Sequence, residues 1–360
     1  MKITDIKLTS VKQTLEKPFW NAIKKTTSSG RSRIEIYTDE GIVGMTLCSG
    51  GVRTSLNNLR DKLIGEDPLR IQYIWENLYM GGSRKPVAKG DYISVISAVD
   101  NALWDLKGKA FNQPVWKLLG GVQNKLWAYA AGGYYQDGKG IPELCEEMET
   151  YVKGGFTAVK MKVGWPGVTL KHDAERVAAV RKAVGDDVEI LIDANNAWDA
   201  HVAIRFGHMI EKYDPYWFEE PVHADDLEGS AKVAAALSFP VASGENEFTR
   251  WGFRDLIERG GVSIVQADTN NCGGISEWMK IAAMASAHHL QMAPHGQGAL
   301  GCVVVAAVKN GLIVENYLRE FSTDLVAPLE FQEGHVIMTD APGLGIEWNE
   351  DMIKRDGTTY

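Results

Sequence analysis

The chain has 360 residues, 45% of them apolar and 24% charged, with a formal net charge of −9 at neutral pH. That length suits a barrel of about 250 residues plus a smaller domain, and the negative balance excludes a general attraction to nucleic acid. No apolar run approaches the roughly 20 residues that cross a bilayer, and MKITDIKLTSVKQTL lacks the apolar core of a signal peptide. Cys48, Cys145, Cys272 and Cys302 show no CxxC spacing and read as thiols in a reducing cytoplasm.

In chain order, residues 1–15 and RSRIEIYTDEGIVGMTLC alternate as antiparallel strands, with DEG as a turn. PFWNAIKKTTSSG between them is polar and glycine-ended, and reads as a mobile loop carrying Trp20, Lys24 and Lys25. A second loop, CSGGVRTS, carries Arg53. Residues 55–118 are helical, so a first, α+β domain spans 1–122. A second domain, 123–319, alternates short apolar runs with helical patterns such as DAERVAAVRKAV and EWMKIAAMASAHH. After Glu315 no eighth amphipathic helix is evident. The last segment, 320–360, turns and alternates like a hairpin returning to the first domain.

The apolar runs of the second domain carry the argument. KLWAYAAGG, AVKMKVG, VEILIDAN, YWFEEP, PVASGEN, SIVQAD, LQMAPH and LIVENY make eight strands at roughly 20- to 30-residue intervals, the step of one strand, one loop and one helix. Buried strands alternating with helices form a parallel sheet, and eight close a barrel whose C-terminal strand ends share one face. The polar residues at those ends are Lys160 and Lys162, Asp193, Glu219, Glu245, Asp268, His295 and Glu315.

Asp193, Glu219 and Glu245 end three successive strands. At one height, adjacent strands about 4.8 Å apart bring such carboxylates together, and a divalent cation relieves their repulsion. Oxygen-only ligands suit Mg²⁺. The plainer alternative is that the acids only pair with Lys160, Lys162 or helix ends. The two lysines lie two apart and so share the barrel's inner face. As like charges near a cation they are expected to lower each other's pKa, which poises one to take a proton. Across the ring Asp268 fixes the tautomer of His295. Glu315 is placed to bond a substrate oxygen, and His223, close after Glu219, reads as lining the pocket. A base on each side of a metal fits removal of the proton next to a carboxylate, with the enediolate charge stabilised by Mg²⁺, Lys160 and Glu315.

At these residues the sequence resembles the enolase superfamily, in particular its mandelate racemase subgroup, over almost the whole chain. AVDNALWDLKGKAFNQPVWKLLGG is similar to the family's segment before the barrel, Lys160-Met-Lys162 to its KxK motif, and FEEP and GEN to two of its ligand motifs. The resemblance implies an α/β fold: a modified TIM barrel, (β/α)7β, with an N-terminal α+β capping domain completed by the C-terminal segment. It implies that Asp193, Glu219 and Glu245 hold one Mg²⁺. Lys162 and His295 are then the bases on opposite faces, with Asp268 behind His295, Lys160 on the carboxylate and Glu315 as the final acid. Asn195 sits where the family contacts a 2-hydroxyl, and Trp20 and Lys24 lie on a loop that caps the substrate. The expected substrate is a small-molecule hydroxy-carboxylate and the expected reaction the dehydration of an acid sugar, in a homo-oligomer from dimer to octamer. Lactone cycloisomerisation, racemisation or epimerisation begins with the same proton and stays open, and a barrel that only binds a sugar acid is the non-enzyme alternative. Gly296-Gln297-Gly298-Ala299-Leu300-Gly301 fits GxGxxG, but too little chain follows it for a dinucleotide-binding fold.

Overall fold

The computed structural model describes residues 1–48, 52–81, 88–296, 298–317 and 326–360. The first domain opens with a three-stranded antiparallel sheet: β1 (Ile3–Trp20), β2 (Lys25–Thr38) and β3 (Val43–Cys48). Ile6 and Leu8, with Ile34 and Ile36, form its buried face as period-2 alternation requires, and Ile3 joins them across a register shift before Asp5. Among the described residues four helices follow, α1 (Arg53–Leu63), α2 (Ile71–Gly81), α3 (Asp91–Ala110) and α4 (Val115–Leu118). PFWNAIKKTTSSG is not a loop. Both sequences continue as strands, β1 and β2 pair out to Trp20↔Lys25, and only residues 21–24 turn. The register slips between Thr14 and Phe19, around Pro18, which has no N–H for the ladder. The second loop falls partly on residues 49–51, outside the described residues; Arg53 begins α1 with its guanidinium over the Tyr360 ring.

The second domain runs β4 (Lys125–Ala131), a short β5 (Tyr135–Gln136), α5 (Ile141–Lys153), β6 (Ala158–Lys162), α6 (Leu170–Val184), β7 (Glu189–Asp193), α7 (Ala200–Ile210), β8 (Pro215–Glu219), α8 (Leu227–Ala236), β9 (Val241–Ser243), α9 (Thr249–Glu258), β10 (Ile264–Val265), α10 (Ile275–Ala287), β11 (Gln291–Met292), α11 (Ala299–Ala306) and β12 (Val314–Tyr317). Parallel pairing links β4, β6, β7, β8, β9, β10 and β11 in turn, and β12 returns to β4. The ring closes where Met292 exchanges backbone hydrogen bonds with Asn310 and Leu312. Eight strands and seven intervening helices give the (β/α)7β barrel. Tyr129, Ala131, Ala158, Leu191, Trp217, Ala242, Ile264, Ala293 and Ile313 fill its interior. The wider apolar layer lies between strands and helices.

The final segment differs from expectation. β13 (Phe331–Gln332) and β14 (His335–Ile337) form the predicted hairpin, but it joins the barrel: β14 pairs antiparallel with β4. Only then does the chain reach the first domain, where α12 (Glu350–Asp356) packs Met352 and Ile353 on Val11, and β15 (Thr358–Thr359) pairs with β1. The physical reason is that β4 follows the first domain directly and its lower half has an unpaired side, which the hairpin covers.

The two domains meet through α3. Gly274, at the start of α10, has no side chain to cap that helix, so α3 does it instead. Asp100 Oδ2 accepts from Ser276 N at 2.8 Å and Asn101 Oδ1 from Ile275 N at 2.9 Å, while Asn101 Nδ2 donates to the Thr269 carbonyl at 3.0 Å. Orphan N–H groups at a helix start are thereby satisfied from another domain. Ser94 Oγ donates to Asn271, whose Nδ2 donates to the Glu245 carbonyl.

Candidate active site

Strand register sets the site. Lys162 is the cross-strand partner of Asp193, and Asp193 of Glu219. These three stand at one height. Glu245 does not, since Glu219 pairs with Ala242 and the chain runs three residues further through a turn to reach Glu245. Gly244 makes that turn at φ +133°, where a Cβ would lie 2.7 Å from the Phe253 ring. Asp268 and His295 likewise each lie three residues beyond paired positions of β10 and β11, Val265 and Met292.

Lys160 is fully buried at the centre of the acids. Its ammonium donates to Glu219 at 2.9 Å, lies 2.8 Å from Glu315 and 3.8 Å from Asp193, and reaches the Tyr129 hydroxyl at 3.2 Å. Lys162 pairs with Asp193 and sits 5.2 Å from the centre of the Tyr134 ring. Burial is the largest single influence on both lysines and pushes them down. Glu219, Glu315, Tyr129 and Asp193 nonetheless hold Lys160 well above its ordinary range, and Asp193 and Tyr134 raise Lys162. Lys160 does lower Lys162, as expected, but the neighbouring acids outweigh the second ammonium.

On the other side His295 Nδ1 is 2.8 Å from Asp268 Oδ2, and its Nε2 is 3.3 Å from Glu245. A carboxylate at Nδ1 keeps the proton there and leaves Nε2 to face the site. Burial opposes the charged ring, but Glu245, Asp268 and Glu315 raise it to about 10. Asp268 Oδ1 is held by the Asn270 N–H at 2.7 Å. Glu315 is also buried; burial opposes its ionised form, but Lys160 and His295 bring it down to about 2, and its Oε2 accepts from Gly296 N at 3.0 Å. Gly296 thus serves the site, and Gly298 is the N-cap residue just before α11. That is the structural use of the GxGxxG glycines; Gln297 lies outside the described residues.

As the side chains stand, no three of the described His, Cys, Asp and Glu residues converge so as to hold an ion. Asp193 turns to Lys162, Glu219 to Lys160 and Glu245 to His295. The donor set still fits a hard divalent cation. It is all oxygen; Asn195 Oδ1 is buried with no hydrogen-bond partner, and Glu245 Oε2 has none beyond its ion pair with His295. Glu219 is pushed to about 7, first by burial and then by Asp193. Such crowding of carboxylates is what a cation would relieve.

Several contributors were not singled out from sequence. Glu220 is buried at φ 41° and its two oxygens accept from Asn196 and Asn246, each at 2.7 Å. It thereby ties together the turns that follow Asp193 and precede α9. Burial, then Glu245 and Asp193, raise it well above the carboxylate range. Trp217, two residues before Glu219 on the same inner face, donates to Glu219 Oε2 at 3.1 Å and packs edge-on against Tyr129. The i−2 spacing was the available signal for it.

The remaining predicted contacts fall as follows. Asn195 is buried beside Asp193, to which its N–H donates at 2.7 Å. Trp20 is half-buried against Trp165, ring centres 5.7 Å apart, and its indole N–H has no partner. Lys24 is exposed at the hairpin turn. His223 is 71% exposed and its Nδ1 accepts from the Asp225 N–H, so the structure does not bring it to the other residues. A cavity of about 580 Å³ opens from Asp268, His295 and Glu315 towards β2 and the C-terminal segment.

Residues 3–120 match the family model described as mandelate racemase / muconate lactonizing enzyme, N-terminal domain, and residues 143–352 the model described as enolase C-terminal domain-like. The chain is 38% identical to an arabinonate dehydratase of Saccharolobus solfataricus over 326 residues, 86% of each chain. It is 34% identical to a D-galactarolactone cycloisomerase of Agrobacterium fabrum over 374 residues, 98% of each. A solved racemase from Streptomyces coelicolor A3(2) with bound magnesium superposes with a TM-score of 0.90 at 30% identity, covering 99% of this chain and all of the other.

Proposed function

Since the chain belongs to the mandelate racemase / muconate lactonizing enzyme family of the enolase superfamily, we propose that it dehydrates an acid sugar, an aldonate or aldarate, to a 2-keto-3-deoxy acid with Mg²⁺. One observation carries this reading: a lysine and an Asp-backed histidine stand on opposite sides of one ring of buried carboxylates. Asp193, Glu219 and Glu245 would hold the ion. When bound, it supplies positive charge for the substrate's carboxylate oxygens as charge develops there.

Lys162 removes the C2 proton. It does so when Asp193 is engaged elsewhere, because that ion pair is what raises it. The electrons of the C2–H bond become the C2–C3 double bond and the C3–O bond breaks. His295, charged and facing the opposite side, gives its Nε2 proton to the departing hydroxyl, which leaves as water. The enol product then ketonises at C2. Lys160 offers its charge to the substrate carboxylate, and Asn195, through its unpartnered Oδ1, accepts from the 2-hydroxyl. General acid–base groups of this kind contribute about 10²- to 10⁴-fold each.

The test is proton exchange. With Mg²⁺ in D₂O, a substrate from an acid-sugar library gains deuterium at C2 and yields a 2-keto product. Lys162→Ala and His295→Asn each lose turnover by at least ~10²-fold while remaining folded. Exchange without loss of water, giving an isomerised lactone or an inverted centre, would assign cycloisomerase or epimerase activity on the same residues. No C2 exchange with any acid would reject catalysis in favour of binding alone.

Among the described residues no helix is long and apolar enough to cross a membrane. We place the protein in the cytoplasm, supported by its four unpaired cysteines, and expect a homo-oligomer, which light scattering would measure.

A further inference from the structure

The cavity beside His295 has a second polar end. Its outer wall includes Arg31 of β2 and Trp348 of the C-terminal segment, while Asp268, His295 and Glu315 form the catalytic end. Among the described residues the other half-buried or buried arginines are occupied, Arg60 by Asp5 and the Ile6 carbonyl. Arg33 meets Glu35 and Glu350, Arg176 meets Asp173, and Arg250 meets Glu277. Arg181 is bonded to four backbone carbonyls. Arg31 is half-buried, yet beyond the backbone ladder of β2 its side chain makes no hydrogen bond, ion pair or ring contact among the described residues, and its one charge neighbour is the buried Cys48 thiol. Among the described residues the one acid on the outer wall, Glu347, is exposed and forms no ion pair with it. A guanidinium with five donors in a fixed fork is shaped for a carboxylate. Asn270, two residues beyond Asp268, also lines the cavity, and its Oδ1 is buried without a hydrogen-bond partner. It is placed to accept from a hydroxyl along the substrate chain.

Resting on the acid-sugar reading above, we propose that Arg31 binds the distal carboxylate of a dicarboxylic substrate, so that the enzyme acts on aldarates or their lactones in preference to aldonates. The first carboxylate belongs with Lys160, deep in the barrel. A monoacid leaves Arg31 facing a neutral terminal hydroxyl. A terminal phosphate would call for further cations or convergent backbone N–H groups, and Arg31 is the only cationic side chain among the described residues of that outer wall.

The experiment compares kcat/KM of the Mg²⁺-loaded enzyme on galactarate and glucarate with that on galactonate, gluconate and 6-phosphogluconate, for the wild type, Arg31→Gln and Arg31→Lys. Calorimetric titration of galactarate runs in parallel. The wild type should favour the diacids. In Arg31→Gln the diacid-to-monoacid ratio should fall about 10- to 100-fold, the range for a charge-assisted hydrogen bond, mostly through KM because the contact is equal in ground and transition states. Galactarate affinity should drop in step, and Arg31→Lys should recover part of it. A wild type that prefers aldonates or the phosphorylated acid would overturn the assignment, as would an unmoved ratio in a folded Arg31→Gln. C2 deuterium exchange separates the two levels. Exchange confined to monoacids sinks the distal-carboxylate inference and leaves the reaction standing, whereas exchange with no acid sinks both.

Discussion

Asp100 offers a sharp test of how α3 joins the barrel. It is 2% exposed, its Oδ2 accepts from Ser276 N and its Oδ1 has no partner. Burial pushes its carboxyl from 3.8 to about 7, against the pull of the Ser276 N–H. The unfolded chain ionises near 3.8 and the folded protein only near 7, so between those values the folded state keeps a proton that the unfolded state has lost. Its stabilising contribution is complete below pH 3.8 and is lost as pH rises through about 7. At about 1.4 kcal/mol per pH unit the full effect is roughly 4 kcal/mol. Asp100→Asn keeps an acceptor for Ser276 N and removes the titration. Urea unfolding of both proteins at pH 5 and pH 8 should show the variant gaining on the wild type by about 2–3 kcal/mol between the two. Profiles that stay parallel within roughly 0.5 kcal/mol would show that Asp100 does not titrate in this window, and the reasoning would fail.

Other variants probe the same architecture. Asn101→Ala leaves the Ile275 N–H and Thr269 carbonyl buried and unpaired, and should cost about 2–5 kcal/mol by urea unfolding. Trp217→Phe removes the donor to Glu219 Oε2 and should cost about 1.5–3 kcal/mol; an unchanged midpoint would mean that the indole only fills space. Glu220→Ala releases Asn196 and Asn246, and Mg²⁺ should then bind about 10- to 100-fold more weakly by calorimetry, as for other groups that orient ligands. Glu219→Ala should lose measurable Mg²⁺ binding altogether, with near-normal affinity refuting its place in the ligand set.

The strand ends were legible in the sequence because a barrel makes them so. Each strand contributes one polar terminus at a fixed repeat, and parallel order sends all of them to one face. Lys160, Lys162, Asp193, Glu219 and the Asp268–His295 pair were readable for that reason. The long hairpin was misread because PFWNAIKKTTSSG is polar on both strands, and a sheet extension without a buried face leaves no alternation to see. Asp100 and Asn101 stood in a recognisable segment, AVDNALWDLKG, but their partners Ser276 and Ile275 lie more than 170 residues away. Nothing local marks a helix cap supplied by another domain.

Charge balance and distal contacts were decided in three dimensions. Sequence order makes Lys160 and Lys162 neighbours and so predicts mutual repulsion. Packing surrounds them with Glu219, Glu315 and Asp193, and both are raised. Arg31 is a strand residue like any other until the barrel, β2 and the C-terminal segment enclose one cavity around it. Local periodicity records which residues face inward, since it follows from backbone geometry. Which inward-facing groups meet, and what charge each then carries, depends on distances between elements remote along the chain, and only the folded structure sets those.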